Sequence, residues 1–107
     1  MKVFISQPMR GKTEEEIIQQ REEVSNYIRK VFNKEDIIIL DSFVKLYDSN
    51  IPSLWYLGRS IEILSEADVV YLALGWTKAR GCLIEELAAA AYGITIIDGE
   101  KILDKGH

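Results

Sequence analysis

Six consecutive apolar residues, Val69-Val-Tyr-Leu-Ala-Leu74, constrain this chain more than any other stretch. The run starts with β-branched and aromatic residues, carries no polar interruption and is too short for a core helix, so it predicts a buried strand. Behind it comes Gly75-Trp-Thr-Lys-Ala-Arg-Gly81, a loop rich in small and cationic residues. Cys82 to Tyr92 then reads as a short helix whose alanines let it lie close against a sheet, with Gly93 as its C-terminal stop. A strand–loop–helix junction of this kind is where an open α/β sheet places its ligand. Glu85 sits at that junction.

The remaining segments supply the other layers. Lys2–Ile5 reads as strand 1, and Ser6-Gln-Pro-Met-Arg-Gly-Lys12 as a loop in which Pro8 blocks regular pairing. Thr13-Glu-Glu-Glu16 fits a capping box, so a helix is expected from there to about Phe32. Its apolar residues Ile17, Val24, Tyr27, Ile28, Val31 and Phe32 recur at helical spacing. Ile37–Leu40 shows no alternation, which predicts a strand covered on both faces. Residues 41–50 read as an irregular connection with room for a helical turn. Pro52 marks the next helix start, with Leu54, Leu57, Ile61 and Leu64 as its buried stripe. Ile94–Ile97 is the last strand, and residues 98–107 are expected as a turn or short edge extension.

The expected order is therefore β-α-β-α-β-α-β in a single domain spanning 1–107. Crossovers of this length imply parallel strands joined in right-handed units. The fold class is α/β, a Rossmann-like three-layer sandwich with four strands, or five if the C-terminus adds one, in order 2-1-3-4. That order places the switch point between strands 1 and 3, where the loops after Ile5 and Leu74 face each other.

Composition removes whole classes of function. Thirteen basic against seventeen acidic side chains give a net charge of -4, no electrostatic footprint for duplex nucleic acid. No apolar run is long enough to span a membrane, and the N-terminal residues do not form a signal-peptide pattern. One cysteine, Cys82, cannot form an internal disulfide, so a cytoplasmic setting is expected. The single histidine is His107, which argues against His-based catalysis and multi-His metal sites.

Several polar residues remain as candidates. The loop with Ser6, Gln7, Pro8, Met9, Arg10 and Gly11 precedes a helix, so amide donors, the helix dipole and Arg10 favour an anion there, against the plainer reading of a solvated turn. Glu85, one turn into its helix, is expected to ionise easily; it reads either as a dipole-stabilised surface carboxylate or as a nucleophile in glycoside chemistry. Trp76 offers a ring to stack on a base or a lid on the core. Arg80 suits a phosphate or a nearby carboxylate. Cys82 reads as packing filler, though a helix entrance would lower its pKa. Asp41, past strand 2, can reach a ligand hydroxyl, whereas Asp68 belongs to the opposite end of the sheet. No Asp/Glu spacing suggests a metal-binding loop.

Taken together, Ile5-Ser-Gln-Pro-Met-Arg-Gly11, Ala67-Asp-Val-Val-Tyr-Leu-Ala-Leu-Gly-Trp76 and Ala79-Arg-Gly-Cys-x-x-Glu85-x-x-x-Ala89-x-x-x-Gly93 resemble the nucleoside 2-deoxyribosyltransferase-like superfamily. The likeness is closest to a small branch related to the 2′-deoxynucleoside 5′-phosphate N-hydrolases. It implies an enzyme, a hydrolase or transferase, that breaks the N-glycosidic bond of a nucleoside or nucleoside 5′-monophosphate. It also implies a homo-oligomer, a dimer or higher, and no cofactor or metal. Glu85 matches the family's nucleophile. Ser6, Arg10 and Gly11 match the loop that holds the 5′-phosphate in the N-hydrolases, and Arg80 and Gly81 match the loop before the glutamate. Ser60 stands where the family carries an aspartate, Phe4 where some transferases carry an aromatic hydroxyl, and Ala79 where a serine is usual. For catalysis, Glu62 or a neighbouring subunit's carboxylate is the candidate replacement for that aspartate; Ser60 in its place motivates the alternative expectation, a non-catalytic nucleotide binder or sensor with the same pocket.

Overall fold

The computed structural model describes residues 1–33, 36–41 and 48–105. Within them lie β1 (Lys2–Ser6), α1 (Glu14–Phe32), β2 (Ile38–Ile39), α2 (Ser53–Leu64), β3 (Val69–Leu72), α3 (Arg80–Ala91), β4 (Thr95–Asp98) and α4 (Gly99–Lys105), with a 3-10 turn at Trp76–Lys78. The four strands form one parallel sheet in the order β2-β1-β3-β4. Val3 pairs with Val69 and Ser6 with Leu72, so β1 and β3 end level with each other. Their C-terminal ends form the switch point of a Rossmann-like α/β fold.

Apolar side chains fill both faces of this sheet. Val3, Ile5, Val69 and Tyr71 pack against Val24 and Ile28 of α1, with Ile102 of α4 on the same side. Phe4, Val70 and Leu72 face the other way, onto Leu64 of α2 and Ala89 of α3. Alternation along β1 and β3 thus splits one apolar run between two cores, as burial on both faces requires.

Helix α1 starts where the Thr13 pattern predicts. The Thr13 hydroxyl accepts from the Glu16 amide, and the Glu16 carboxylate accepts from the Thr13 amide at 2.9 Å. That second bond holds the Glu16 pKa below the ordinary carboxylate value. Thr13→Ala removes half of this box and is expected to cost about 1 kcal/mol. Urea unfolding of the two proteins measures it, and an unchanged midpoint would contradict the cap's role.

Three expectations need correction. Ile37–Leu40 is not covered on both faces: only Ile38–Ile39 pairs, at the sheet's edge, and Ile38 is 54% exposed because β2 has a single strand neighbour. Leu54 does not join the buried part of the α2 stripe and is 74% exposed. The stretch after β4 is neither a turn nor an edge strand but helix α4, so the sheet has four strands. Residues 42–47 of the irregular connection, and residues 106–107, lie outside the described part. No helix of the described residues is long and apolar enough to cross a membrane.

Candidate functional site

At the switch point the two loops touch. Gly75 adopts a φ of +94°, and a Cβ built there would stand 3.2 Å from the Pro8 ring. Gln20 of α1 reaches across to the Leu74 carbonyl. Beneath this seam, Ser6 at the end of β1 donates its hydroxyl to Glu85 Oε1 at 2.7 Å. Both are buried, Glu85 to 7% exposure.

Burial reverses the electrostatics expected for Glu85. Its pKa rises to about 7, driven by desolvation and only partly opposed by the Ser6 hydroxyl. Glu85 is the sixth residue of α3, beyond the first turn in which the dipole acts strongly. Burial also outweighs the helix dipole at Cys82, the third residue of α3. It is buried, and desolvation pushes its thiol up to about 11 despite the Ser6 hydrogen bond. A thiol held that high is inert at neutral pH.

The helix end next to the first loop is also occupied. Glu14, Glu15 and Glu16 crowd the first turn of α1, and the capping box takes amide donors an anion would use. Attraction for an anion in this loop therefore rests on Arg10 and Lys12, both exposed. Exposed Met9 closes the turn by accepting from the Lys12 amide, and Gly11 takes a φ of +80°. The first turn of α3, in contrast, contains no acidic residue and no side-chain cap. Gly81 lies there against Leu57 of α2, and Arg80 before it is exposed.

Gln7 is buried beside Ser6. Its amide nitrogen donates to the Ile17 carbonyl at 3.0 Å and to Gln20 Oε1 at 3.2 Å, while its Oε1 has no donor partner. An acceptor left in that state costs roughly 1–3 kcal/mol.

Other candidates lie apart from this centre. Half-buried Trp76 donates its indole N–H to Asp98 at 3.0 Å, and its ring packs against the core beneath α2 and α3. Asp41 is exposed and lines a groove of about 570 Å³ with Arg21 and Arg29. Arg21 there donates to the Leu40 carbonyl. Ser60 is half-buried on α2. Glu62 is turned to solvent, 3.0 Å from Arg59. Asp68 accepts from the Lys2 amide at the far end of the sheet. No group of three His, Cys, Asp or Glu able to hold a metal occurs among the described residues.

Two residues with a hold on the site escape a reading by motif. Asp98 caps α4 and binds Trp76, while Glu100 accepts from the Gly75 amide at 3.0 Å. Together they fasten the loop that leads into α3. An Asp-Gly-Glu following the last strand was the available signal, because Asp is a strong helix N-cap.

No protein-family model, curated protein or solved structure matches the chain.

Proposed function

We propose that this chain cleaves the N-glycosidic bond of a nucleoside 5′-monophosphate, with Glu85 as nucleophile. The observation that carries the reading is a buried carboxyl at the switch point whose polar partner is one neutral hydroxyl. An unpaired buried carboxylate is costly, and a neutral side chain would pack as well, so structure alone gives little reason for an acid here. Ser6 aims Oε1. Exposed Arg10 and Lys12 of the first loop and exposed Arg80 at the start of α3 suit a phosphate, and the unsatisfied Gln7 Oε1 suits a ligand N–H or O–H.

In the reaction, a Glu85 carboxylate oxygen bonds to C1′ as the C1′–N bond breaks. The electron pair leaves with the base, which takes a proton from water. Water then attacks C1′ of the glycosyl ester, releasing the sugar phosphate and regenerating the carboxylate. Positive charge building at C1′ stabilises the ionised glutamate, which burial disfavours in the free protein.

Because the nucleophile must be ionised, kcat/KM is expected to rise with pH and level off above about 7. Chromatography for free base after incubation with deoxy- and ribonucleotides tests the reading. Failure to release base from any of them at high enzyme concentration would overturn it.

A second reading, a nucleotide binder or sensor with the same pocket, is favoured by one observation. Among the described residues no second carboxylate acts on Glu85, and Glu62 is engaged elsewhere. The binder predicts a monophosphate-induced rise in melting temperature that Glu85→Gln preserves, with no base release.

A further inference from the structure

Among the described residues Glu85 is a buried acid with no counter-ion. It forms no ion pair, and its hydrogen-bond partner, Ser6, is neutral. Cys82, beside it on the buried face of α3, is a thiol. Lys12 of the first loop acts on that thiol and not on Glu85, and Arg10 and Arg80 form no ion pair with Glu85 either. A buried carboxylate needs positive charge nearby, and here the ligand is the remaining source of it. A second shortage lies on the leaving-group side. A neutral purine or pyrimidine departs as an anion and relies on a general acid, whose help is worth roughly 10²–10⁴-fold. Candidate donors among the described residues are engaged or misplaced. Glu62 lies 3.0 Å from Arg59, and Asp98 accepts from the Trp76 indole. Tyr71 packs on the α1 face of the sheet, away from α3. Cys82, pushed up to about 11, is a weak proton donor.

We propose that the substrate is a pyridinium nucleotide, a sugar 5′-phosphate whose base is a positively charged ring that departs uncharged. The proposal rests on the N-glycosidic reading of Glu85. Such a base brings the counter-ion in with the substrate and needs no acid when it goes, so one property answers both shortages. A Glu85 carboxylate oxygen bonds to C1′ as the C1′–N bond breaks. The bonding pair passes to the ring nitrogen, and the pyridinium becomes a neutral pyridine. Positive charge thereby moves off the ring toward C1′ and toward the carboxylate, so the attraction is stronger in the transition state than in the bound substrate. Water then attacks C1′ of the glycosyl ester, the pair of the ester bond returns to Glu85, and one proton goes to solvent.

Three probes test it on the full chain. They are nicotinamide mononucleotide, its reduced form, whose ring has nearly the same outline without the charge, and adenosine 5′-monophosphate. Chromatography for free base is expected to give a kcat/KM for nicotinamide release at least roughly 100-fold above that for either uncharged ring, the low end of what a general acid supplies. With the charged probe kcat/KM should level off above about pH 7 and show no fall through about pH 9, since no acid is there to lose its proton. Uncharged bases released as fast as nicotinamide, or a falling alkaline limb, would overturn the proposal and leave the N-glycosidic reading standing. So would a deoxy- or ribonucleotide with a neutral base that is cleaved while nicotinamide stays attached. Retention of every base overturns both.

Discussion

Glu85→Gln is expected to abolish base release while making the folded protein more stable at neutral and alkaline pH. The two effects share one cause. Folding raises the Glu85 pKa from an ordinary 4.5 to about 7, so the native state holds this proton more tightly than the unfolded chain. Stability from this group is therefore fully present below about pH 4.5, declines as pH rises through the interval, and is lowest above about pH 7. A shift of this size corresponds to about 3 kcal/mol. Glutamine can still accept from Ser6 and carries no charge, so the variant avoids the penalty. Calorimetry from acid to alkaline pH should show two proteins equally stable at the acid end, with the variant ahead above neutrality. Curves that stay parallel would show that Glu85 is not held protonated by burial. Activity lost without that stability gain would separate the chemistry from the electrostatics.

The strand order was legible because apolar runs and crossover lengths leave few topologies open, and the sheet forms as 2-1-3-4. Local rules sufficed where they were self-contained, as at Thr13 and Glu16. They failed where the answer depended on position in the sheet. Ile37–Leu40 looks like a central strand, yet its place at the edge leaves Ile38 bare. Helix α4 went unread because residues 98–105 contain too few apolar side chains for a period to show. For Glu85 the missed signal was spacing. Cys82, Glu85 and Ala89 fall on one face of α3, the buried one, so a carboxylate stood in an apolar stripe. Attention to the helix start favoured the dipole and an easily ionised acid. Attention to the helix face would have favoured burial and a raised pKa.

Gly99→Ala is expected to be among the most damaging substitutions of a surface-remote residue in this chain. Gly99 is buried where β4 turns directly into α4. A Cβ there would lie 2.5 Å from the Leu72 carbonyl oxygen and 2.9 Å from the Tyr71 ring. Neither obstacle is the free end of a flexible side chain. Leu72 belongs to the central strand β3, and Tyr71 is fixed by the α1 core and an edge contact with Tyr27. The added methyl must therefore push α4 away from the sheet, at a cost of roughly 3 kcal/mol. In a domain of this size that lowers the melting temperature by on the order of 15 °C. The damage should reach the site as well. Asp98 and Glu100 flank Gly99 and hold Trp76 and the Gly75 amide, so moving α4 releases the loop that aims α3 and Glu85. Asp98→Asn separates the two effects, because it weakens the hold on Trp76 and the α4 cap without adding a methyl at position 99. It should cost less stability than Gly99→Ala while still loosening the loop, read as faster amide exchange at residues 75–79. Equal stability losses in the two variants would mean that the clamp, and not the close contact at Gly99, holds α4 in place.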